Sequence, residues 1–153
     1  MPEEIVSEAV QAFEQEIAVK HQTLQVVLPP SLPAVIGDRG RLIQVLTNLV
    51  SNANKYTPER GLIIISADLW SDKGQDYVRW SVQDNGIGMK PDELDRLFTK
   101  YFRASNAAVR SVQGTGLGLV ITRSIVEMHG GQVMVESEYQ KGSTFSFAIP
   151  IAH

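Results

Sequence analysis

The sequence predicts a two-layer α/β sandwich, in which a mixed, mostly antiparallel sheet of about five strands is covered by about three main helices. Some segments repeat apolar residues at helical spacing, which is the pattern of a helix with one buried face. Shorter segments alternate apolar and polar residues, which is the pattern of a strand with one buried face. Helices and strands are mixed along the chain without an internal repeat, and this order favours the sandwich.

Helical spacing of apolar residues predicts three main helices. The first is predicted at Pro2–Lys20 and the second at about Arg39–Tyr56, with Asp38 as the N-cap of the second. The third follows a glycine-rich segment at residues 114–118 and is expected to end at Gly130, because glycine readily adopts the left-handed conformation that terminates a helix.

Alternation of apolar and polar residues predicts the strands. They are placed at Thr23–Leu28, Leu62–Trp70, Tyr77–Gln83, Gln132–Glu138 and Ser143–Ile149. The polar residues 71–76 are predicted to form the loop between the second and third strands. A short helix is expected at Pro91–Phe98, and Thr99–Gln113, which lacks periodicity and is longer than most connections, is expected to form a flexible lid.

Bulk composition excludes several classes of protein. The 153 residues and a hydrophobic content of 43% are typical of one soluble globular domain, so residues 1–153 are interpreted as a single domain. The net charge of -3 argues against general nucleic-acid binding. The absence of cysteine excludes disulfides and thiolate metal sites. No apolar run is long enough to span a bilayer, so the chain is expected to be cytoplasmic, although a longer parent protein is compatible with membrane anchoring.

The second predicted helix carries an unusual polar face. Opposite its apolar stripe lie mostly uncharged amides and hydroxyls, whereas solvated helix faces usually carry pairs of Glu and Lys. Asn48 and Asn52 are one turn apart on this face, and Lys55 lies beside them. Amide oxygens are hard ligands, and an asparagine near a lysine suits an anionic ligand that brings Mg²⁺ with it. A neutral solvent-facing surface is the alternative interpretation.

Two glycine-rich turns flank the predicted lid. DNGIGM begins at Asp84, directly after a strand, and GTGLGL begins at Gly114 and opens a helix. A carboxylate at a strand end can accept a hydrogen bond from an exocyclic amine such as adenine N6, and a helix N-terminus can hold a phosphate. Lys100, Arg103 and Arg110, between the turns, provide cations for the same charges. We therefore expect a nucleoside triphosphate site; the alternatives are an ordinary turn aspartate and a tight packing corner.

Five segments taken together resemble the catalytic ATP-binding domain of sensor histidine kinases. They are NLVSNANKYTP at Asn48–Pro58, DNGIGM at Asp84–Met89, LFTKYFRA at Leu97–Ala104, GTGLGL at Gly114–Leu119 and GSTF at Gly142–Phe145. Their order and spacing match the family, and the resemblance covers essentially the whole chain. It implies the Bergerat-type ATP-binding fold that is shared with gyrase, Hsp90 and MutL ATPases.

The resemblance implies roles on the base side of the nucleotide. Asp84 would accept a hydrogen bond from adenine N6, and Tyr56 would lie against the nucleotide. Gly86 and Gly88 would form the floor of the base pocket. Thr144 would support the adenine side through hydrogen bonding. The same segments contribute the further expected contacts Ile87 and Phe98.

It also implies roles on the phosphate side. Asn52 would be a magnesium ligand with Asn48 beside it, while Lys55 and Arg103 would meet the phosphates. Asn48, Lys55 and Arg103 are accordingly the expected catalytic residues. The glycine-rich turn would wrap the phosphates through Gly114, Thr115, Gly116, Leu117, Gly118 and Leu119.

Two differences from related proteins bear on the reaction. Asn48 stands where the gyrase and Hsp90 relatives carry a water-activating glutamate, and since an amide cannot act as a general base, efficient ATP hydrolysis is not expected. The helical hairpin that carries the phospho-accepting histidine is absent, and His21 lacks the acidic residue and proline that would follow such a histidine. The resemblance therefore predicts a domain that binds ATP and Mg²⁺ and phosphorylates a histidine on a separate dimerisation and phosphotransfer domain.

Other functions remain compatible with the same segments. A serine protein kinase of the anti-sigma-factor type shares them but acts on a hydroxyl, and a nucleotide-sensing module without catalysis would also retain the pocket. A gyrase-like ATPase is a third alternative. The histidine-kinase interpretation further predicts an indirect response-regulator partner, no nucleic-acid or membrane contact, and an isolated domain that is monomeric.

Overall fold

The computed structural model describes residues 2–86, 118–138 and 142–152. The predicted helix at 91–98 and the predicted lid at 99–113 lie outside these residues. The described parts contain, in chain order, α1 Pro2–Val19, β1 Thr23–Val27, α2 Arg39–Tyr56, β2 Leu62–Asp72, β3 Gln75–Asp84, α3 Gly118–Met128, β4 Gln132–Glu138 and β5 Gly142–Pro150. Within them, no helix has the length and apolar character needed to cross a membrane.

The strands form one mixed sheet in the order β1-β2-β3-β5-β4. Strands β1 and β2 are parallel, since the chain crosses through α2 between them, and the other neighbours are antiparallel. The predicted mixed, mostly antiparallel sheet in an α/β sandwich is confirmed.

The β2–β3 hairpin is tighter than predicted. Asp72 pairs with Gln75, so only Lys73 and Gly74 form the turn, with φ of 51° and 80°. Positive φ at both central residues is typical of a type I′ turn, whose twist matches that of the strands. The predicted loop at residues 71–76 was therefore wrong in extent, because the polar residues at its ends continue the strands.

One face of the sheet forms the core. Val78, Trp80 and Val82 alternate along β3 and are fully buried, as predicted. The Trp80 ring stacks on Phe147 of β5 with centroids 4.9 Å apart, and its Nε1 donates to the Pro2 carbonyl at 3.4 Å. The helices cover this face, and the apolar stripe predicted on α2 is buried in it: Leu42, Val45, Leu46, Leu49, Val50 and Ala53.

Helix α2 lies between α1 and α3 and is anchored at its start. The Asp38 carboxylate accepts the N–H of Arg41 at 3.1 Å, which confirms the predicted N-cap. The backbone N–H of Asp38 in turn donates to Nε2 of His129 at 3.0 Å. Because Nε2 accepts, the proton lies on Nδ1, which donates to the Ile125 carbonyl at 2.8 Å. The His129 side chain thus joins the end of α3 to the start of α2.

Helix α1 ends in a Schellman motif without glycine. The N–H of Gln22 donates to the Ile17 carbonyl at 3.1 Å, and the N–H of His21 donates to the Ala18 carbonyl at 3.0 Å. This motif requires a left-handed residue, and His21 adopts it with a φ of 52°. A residue with a Cβ is strained there, so the turn is held by its surroundings.

His21→Gly is expected to raise the free energy of unfolding by about 0.5–1 kcal/mol, since the strain of a left-handed L-residue outweighs the extra freedom of glycine in the unfolded chain. Urea denaturation of wild type, His21→Gly and His21→Ala measures the effect. The alanine variant removes the ring but keeps the strain, so it serves as the control. A glycine variant no more stable than the alanine variant would contradict the assignment of strain.

Candidate functional site

Asp84 is the last residue of β3 and lies at the centre of the candidate site. It pairs with Ile63 of β2 and with Ser143 of β5. Because side chains alternate along a strand, Asp84 shares the face of Trp80 and Val82 and lies on the helical side of the sheet. Only 8% of its surface is exposed. A carboxylate is therefore buried at the edge of the core.

The Asp84 carboxylate is bonded only to backbone N–H groups among the described residues. Its Oδ1 accepts the N–H of Gly86 at 2.8 Å, and the backbone N–H of Ser143 is a second donor. Burial raises the pKa of Asp84, although both N–H donors act to lower it. A carboxyl group that is buried without a cationic partner in this part of the chain retains oxygen lone pairs for a ligand.

The turn after Asp84 is held against β2. The Asn85 side chain accepts the N–H of Leu62 at 2.9 Å, and the Asn85 N–H donates to the Leu62 carbonyl at 3.3 Å. Two glycines, one in this turn and one in β5, make close backbone contacts here. A Cβ on Gly86 would collide with the carbonyl oxygen of Tyr56, and a Cβ on Gly142 would collide with the carbonyl oxygen of Asp84. The last turn of α2 and the first residue of β5 thus both contact the Asp84 turn through backbone atoms.

The polar face of α2 is only partly exposed to solvent. Asn48 Nδ2 donates to the Thr122 hydroxyl of α3 at 3.2 Å, and Thr122 is fully buried. This bond uses the amide nitrogen, so the Asn48 oxygen is available to a cation or a donor. The Asn52 side chain is half-buried one turn later and makes no hydrogen bond to the described residues, whereas Lys55 is exposed.

These contacts bring three predicted elements together. Tyr56, at the end of α2, lies at Gly86, and Asn48, two turns earlier, lies at Thr122. Thr122 is one turn after Gly118, the first residue of α3, so the start of α3 lies beside the polar face of α2. Leu119 is the second residue of α3. The other predicted site residues lie outside the described residues: Ile87, Gly88, Phe98, Arg103, Gly114, Thr115, Gly116 and Leu117.

The register of β5 separates Thr144 from Asp84. Thr144 pairs with Gln83 and Glu136, so its side chain lies on the face of the sheet opposite to the helices. Its neighbour Ser143 is buried on the Asp84 face and donates its N–H to the carboxylate. The structure thus brings Ser143, which sequence reasoning missed, to Asp84. The available signal was alternation, because Ser143 lies two residues before the inward-facing Phe145.

Comparison with known proteins gives one family over most of the chain. The family described as histidine kinase-, DNA gyrase B-, and HSP90-like ATPase matches residues 37–153. Hybrid signal transduction histidine kinase B of Dictyostelium discoideum is 37% identical over 148 residues, which is 95% of this chain and 8% of that protein. The chain therefore spans a small part of the length of this curated relative.

Solved structures with the same fold include ShkA and the histidine kinase ThkA. Full-length ShkA in complex with AMPPNP has a TM-score of 0.82 and 31% identity over 99% of this chain and 30% of that one. The nucleotide-free catalytic domain of ThkA has a TM-score of 0.78 and 34% identity over 97% of this chain and 93% of that domain. ThkA in complex with the response regulator protein TrrA has a TM-score of 0.76 and 31% identity over 98% and 40% of the two chains.

Asp84→Asn is expected to raise the free energy of unfolding at neutral pH by about 1 kcal/mol, because a buried charge is replaced by a neutral amide. A carboxyl whose pKa is raised by folding stabilises the fold below its unfolded pKa and loses that contribution as the pH rises. The advantage of the variant should therefore shrink as the pH falls towards about 3.9.

Urea denaturation at several pH values measures this difference. Asp76→Asn, which changes an exposed carboxylate at the other end of β3, is the matched control. An Asp84→Asn variant that is less stable than wild type at neutral pH would show that the charge itself holds the turn.

Proposed function

The chain belongs to the family of histidine kinase-, DNA gyrase B- and HSP90-like ATPases, and we propose that it is the ATP-binding catalytic domain of a two-component sensor histidine kinase. We interpret residues 1–153 as one such domain. The observation that carries the proposal is the buried Asp84 carboxylate, which has backbone donors but no cationic partner among the described residues, directly below the last turn of α2.

Asp84 would select the base. A buried carboxylate accepts hydrogen bonds and repels a carbonyl oxygen, so it favours a purine with an amine at position 6 over one with a carbonyl. The absence of a Cβ at Gly86 lets the Tyr56 carbonyl approach the Asp84 turn, so Tyr56 would lie against the nucleotide from the end of α2. The ShkA complex with AMPPNP supports an adenine nucleotide as the ligand.

The polar face of α2 would hold the phosphates and their metal. The oxygens of Asn48 and Asn52 are hard donors of the kind that Mg²⁺ takes together with phosphate oxygens and water. Bound Mg²⁺ would neutralise charge on the β- and γ-phosphates. Lys55, at the exposed end of the same face, would add a positive charge. Arg103 and the glycine-rich segment that leads into Gly118 and Leu119 are proposed to complete the phosphate contacts.

The proposed reaction is a phosphoryl transfer to histidine. A neutral imidazole nitrogen of the acceptor forms a bond to the γ-phosphorus, the bond from that phosphorus to the β–γ bridging oxygen breaks, and ADP leaves. Catalysis consists mainly of placement and charge neutralisation, with Lys55 and Arg103 as the cations. Asn48 donates its amide N–H to Thr122 and has no basic group, so it does not activate water.

The acceptor would come from another domain of a longer protein. We propose a dimerisation and histidine phosphotransfer domain as the direct partner and a response regulator as the indirect one. The ThkA complex with the response regulator TrrA supports this second partner. The isolated domain is proposed to be a cytoplasmic monomer.

Base selection is tested by titrating the domain with ATP and with inosine triphosphate, which carries a carbonyl at position 6. Wild type should prefer ATP by at least about tenfold, since a hydrogen bond to a charged group contributes about 1.5–3 kcal/mol. Asp84→Asn should bind ATP about tenfold more weakly and lose most of the preference. Asp76→Asn should behave as wild type. An undiminished preference in Asp84→Asn would remove Asp84 from the base pocket.

Phosphoryl transfer is tested by incubating the domain with γ-labelled ATP and a supplied histidine phosphotransfer domain. The label should appear on the acceptor in an acid-labile form, and Asn52→Ala should lower the rate by at least about tenfold because a metal ligand is removed. An acid-stable product would point instead to a serine kinase. ATP binding without any transfer would point to a nucleotide-sensing module.

A further inference from the structure

Two side chains at the α1–β1 junction bind the C-terminal end of α2. Lys20 Nζ donates to the carbonyl oxygens of Asn54 at 2.6 Å, Thr57 at 2.9 Å and Lys55 at 3.4 Å. Gln22 Nε2 donates to the Thr57 carbonyl at 2.8 Å and the Asn54 carbonyl at 3.2 Å. The Asn54 side chain completes the network by donating to Gln22 Oε1 at 2.8 Å. Both side chains precede residues 37–153, which match the family.

These hydrogen bonds provide partners for backbone carbonyls at the C-terminal end of α2. The last four carbonyls of an α-helix have no partner within the helix, and the negative end of its dipole favours a cation. Helix α2 ends at Thr57 in an extended conformation, with a φ of -91° and a ψ of 131°, rather than in a left-handed glycine. Lys20 and Gln22 therefore perform the task that a terminal glycine motif performs elsewhere. Burial lowers the pKa of Lys20, which accords with a contact partly shielded from water.

The backbone conformation of the turn directs both side chains toward α2. The left-handed His21 reverses the chain between them, so that Lys20 closes α1 while Gln22 leads into β1. The Lys20 carbonyl also accepts the N–H of Arg60 at 3.0 Å, which ties the loop after α2 to the same junction. The junction thus contacts both the last turn of α2 and the loop that follows it.

The same turn of α2 carries residues of the candidate site. Asn52, Lys55 and Tyr56 lie within or beside the capped turn, and the Tyr56 carbonyl contacts Gly86 so closely that no Cβ fits between them. Protein interiors are densely packed, so the turn has little free space around it. A small displacement of the turn would therefore alter its contact with Gly86 and its distance from Asp84. The junction is therefore bonded to the same turn of α2 that meets the Asp84 turn at Gly86.

We propose that Lys20 and Gln22 are positioning residues of the nucleotide site, which hold the last turn of α2 at the correct distance from Asp84. This inference rests on the proposed function. It extends the site to the α1–β1 junction, whose residues touch no nucleotide themselves. Loss of the Lys20 cap would weaken ATP binding and also reduce the preference for a 6-amino purine, because Tyr56 would no longer be held at the correct distance from Asp84.

The test compares Lys20→Met with Arg39→Met. Arg39 also joins α1 to α2, through ion pairs with Glu4 at 3.3 Å and Glu8 at 3.5 Å, but at the opposite end of α2 and with exposed side chains. Both variants remove one basic group from the α1–α2 contact. Lys20→Met should raise the Kd for ATP about tenfold and reduce the ATP-to-inosine triphosphate preference, whereas Arg39→Met should change neither. Lys20→Arg should restore most of the affinity.

A change in the base preference distinguishes a positioning role from a general loss of stability. A smaller folded fraction would lower the apparent affinities for ATP and inosine triphosphate by the same factor and leave the preference unchanged. Hydrogen exchange of the α2 amides gives a second readout, with faster exchange expected at residues 52–57 in Lys20→Met and unchanged exchange in Arg39→Met. If Lys20→Met does not fold, the milder Lys20→Gln is measured in the same way. Wild type that binds no nucleotide would reject the proposed function. Wild-type binding with an unchanged Kd and preference in the Lys20 variant would reject the positioning role alone.

Discussion

The close backbone contact at Gly86 is the constraint on which the site depends. The last turn of α2 and the turn after β3 meet there, and a side chain on Gly86 would collide with the Tyr56 carbonyl. Gly142 makes a comparable approach to the Asp84 carbonyl from β5, in a left-handed conformation with a φ of 131°. Because neither position accommodates a Cβ, backbone geometry rather than a choice of rotamers sets the place of Asp84 between α2 and β5.

Two aspartates on neighbouring strands show how environment assigns different roles to the same side chain. Asp68 of β2 pairs with Arg79 of β3 at 2.7 Å on the open face of the sheet, and its hydrogen bond raises the pKa of Arg79. Asp84, on the helical face, has no such cation among the described residues, and burial raises its pKa. A buried carboxylate without a cationic partner costs stability, and groups with perturbed pKa values cluster at functional sites.

Local patterns predicted much of the fold. The apolar stripe of α2, the alternation in β3 and the Asp38 cap each depend on residues a few positions apart, so a single sequence reveals them. These patterns also placed Asp84 at the end of a buried strand. The polar face of α2 was visible for the same reason.

The missed features depend on contacts between distant parts of the chain. Thr144 and Ser143 are adjacent and similar in character, and only the pairing of β5 with β3 determines which one shares the face of Asp84. Lys20 and Gln22 lie in a polar turn with no periodic signal, and their partners are more than 30 residues away. Contacts between distant elements were therefore harder to predict than patterns within one element.

The most direct test of the account is an NMR titration of the ¹⁵N-labelled domain with ATP and Mg²⁺. The largest amide shifts are expected at Gly86, Ser143 and Asn52, which lie on different elements and are proposed to border one pocket. Small shifts are expected on the open face of the sheet around Arg79. Shifts confined to that open face, or no saturable shifts at Gly86 and Asn52, would contradict a nucleotide pocket between α2 and the end of β3.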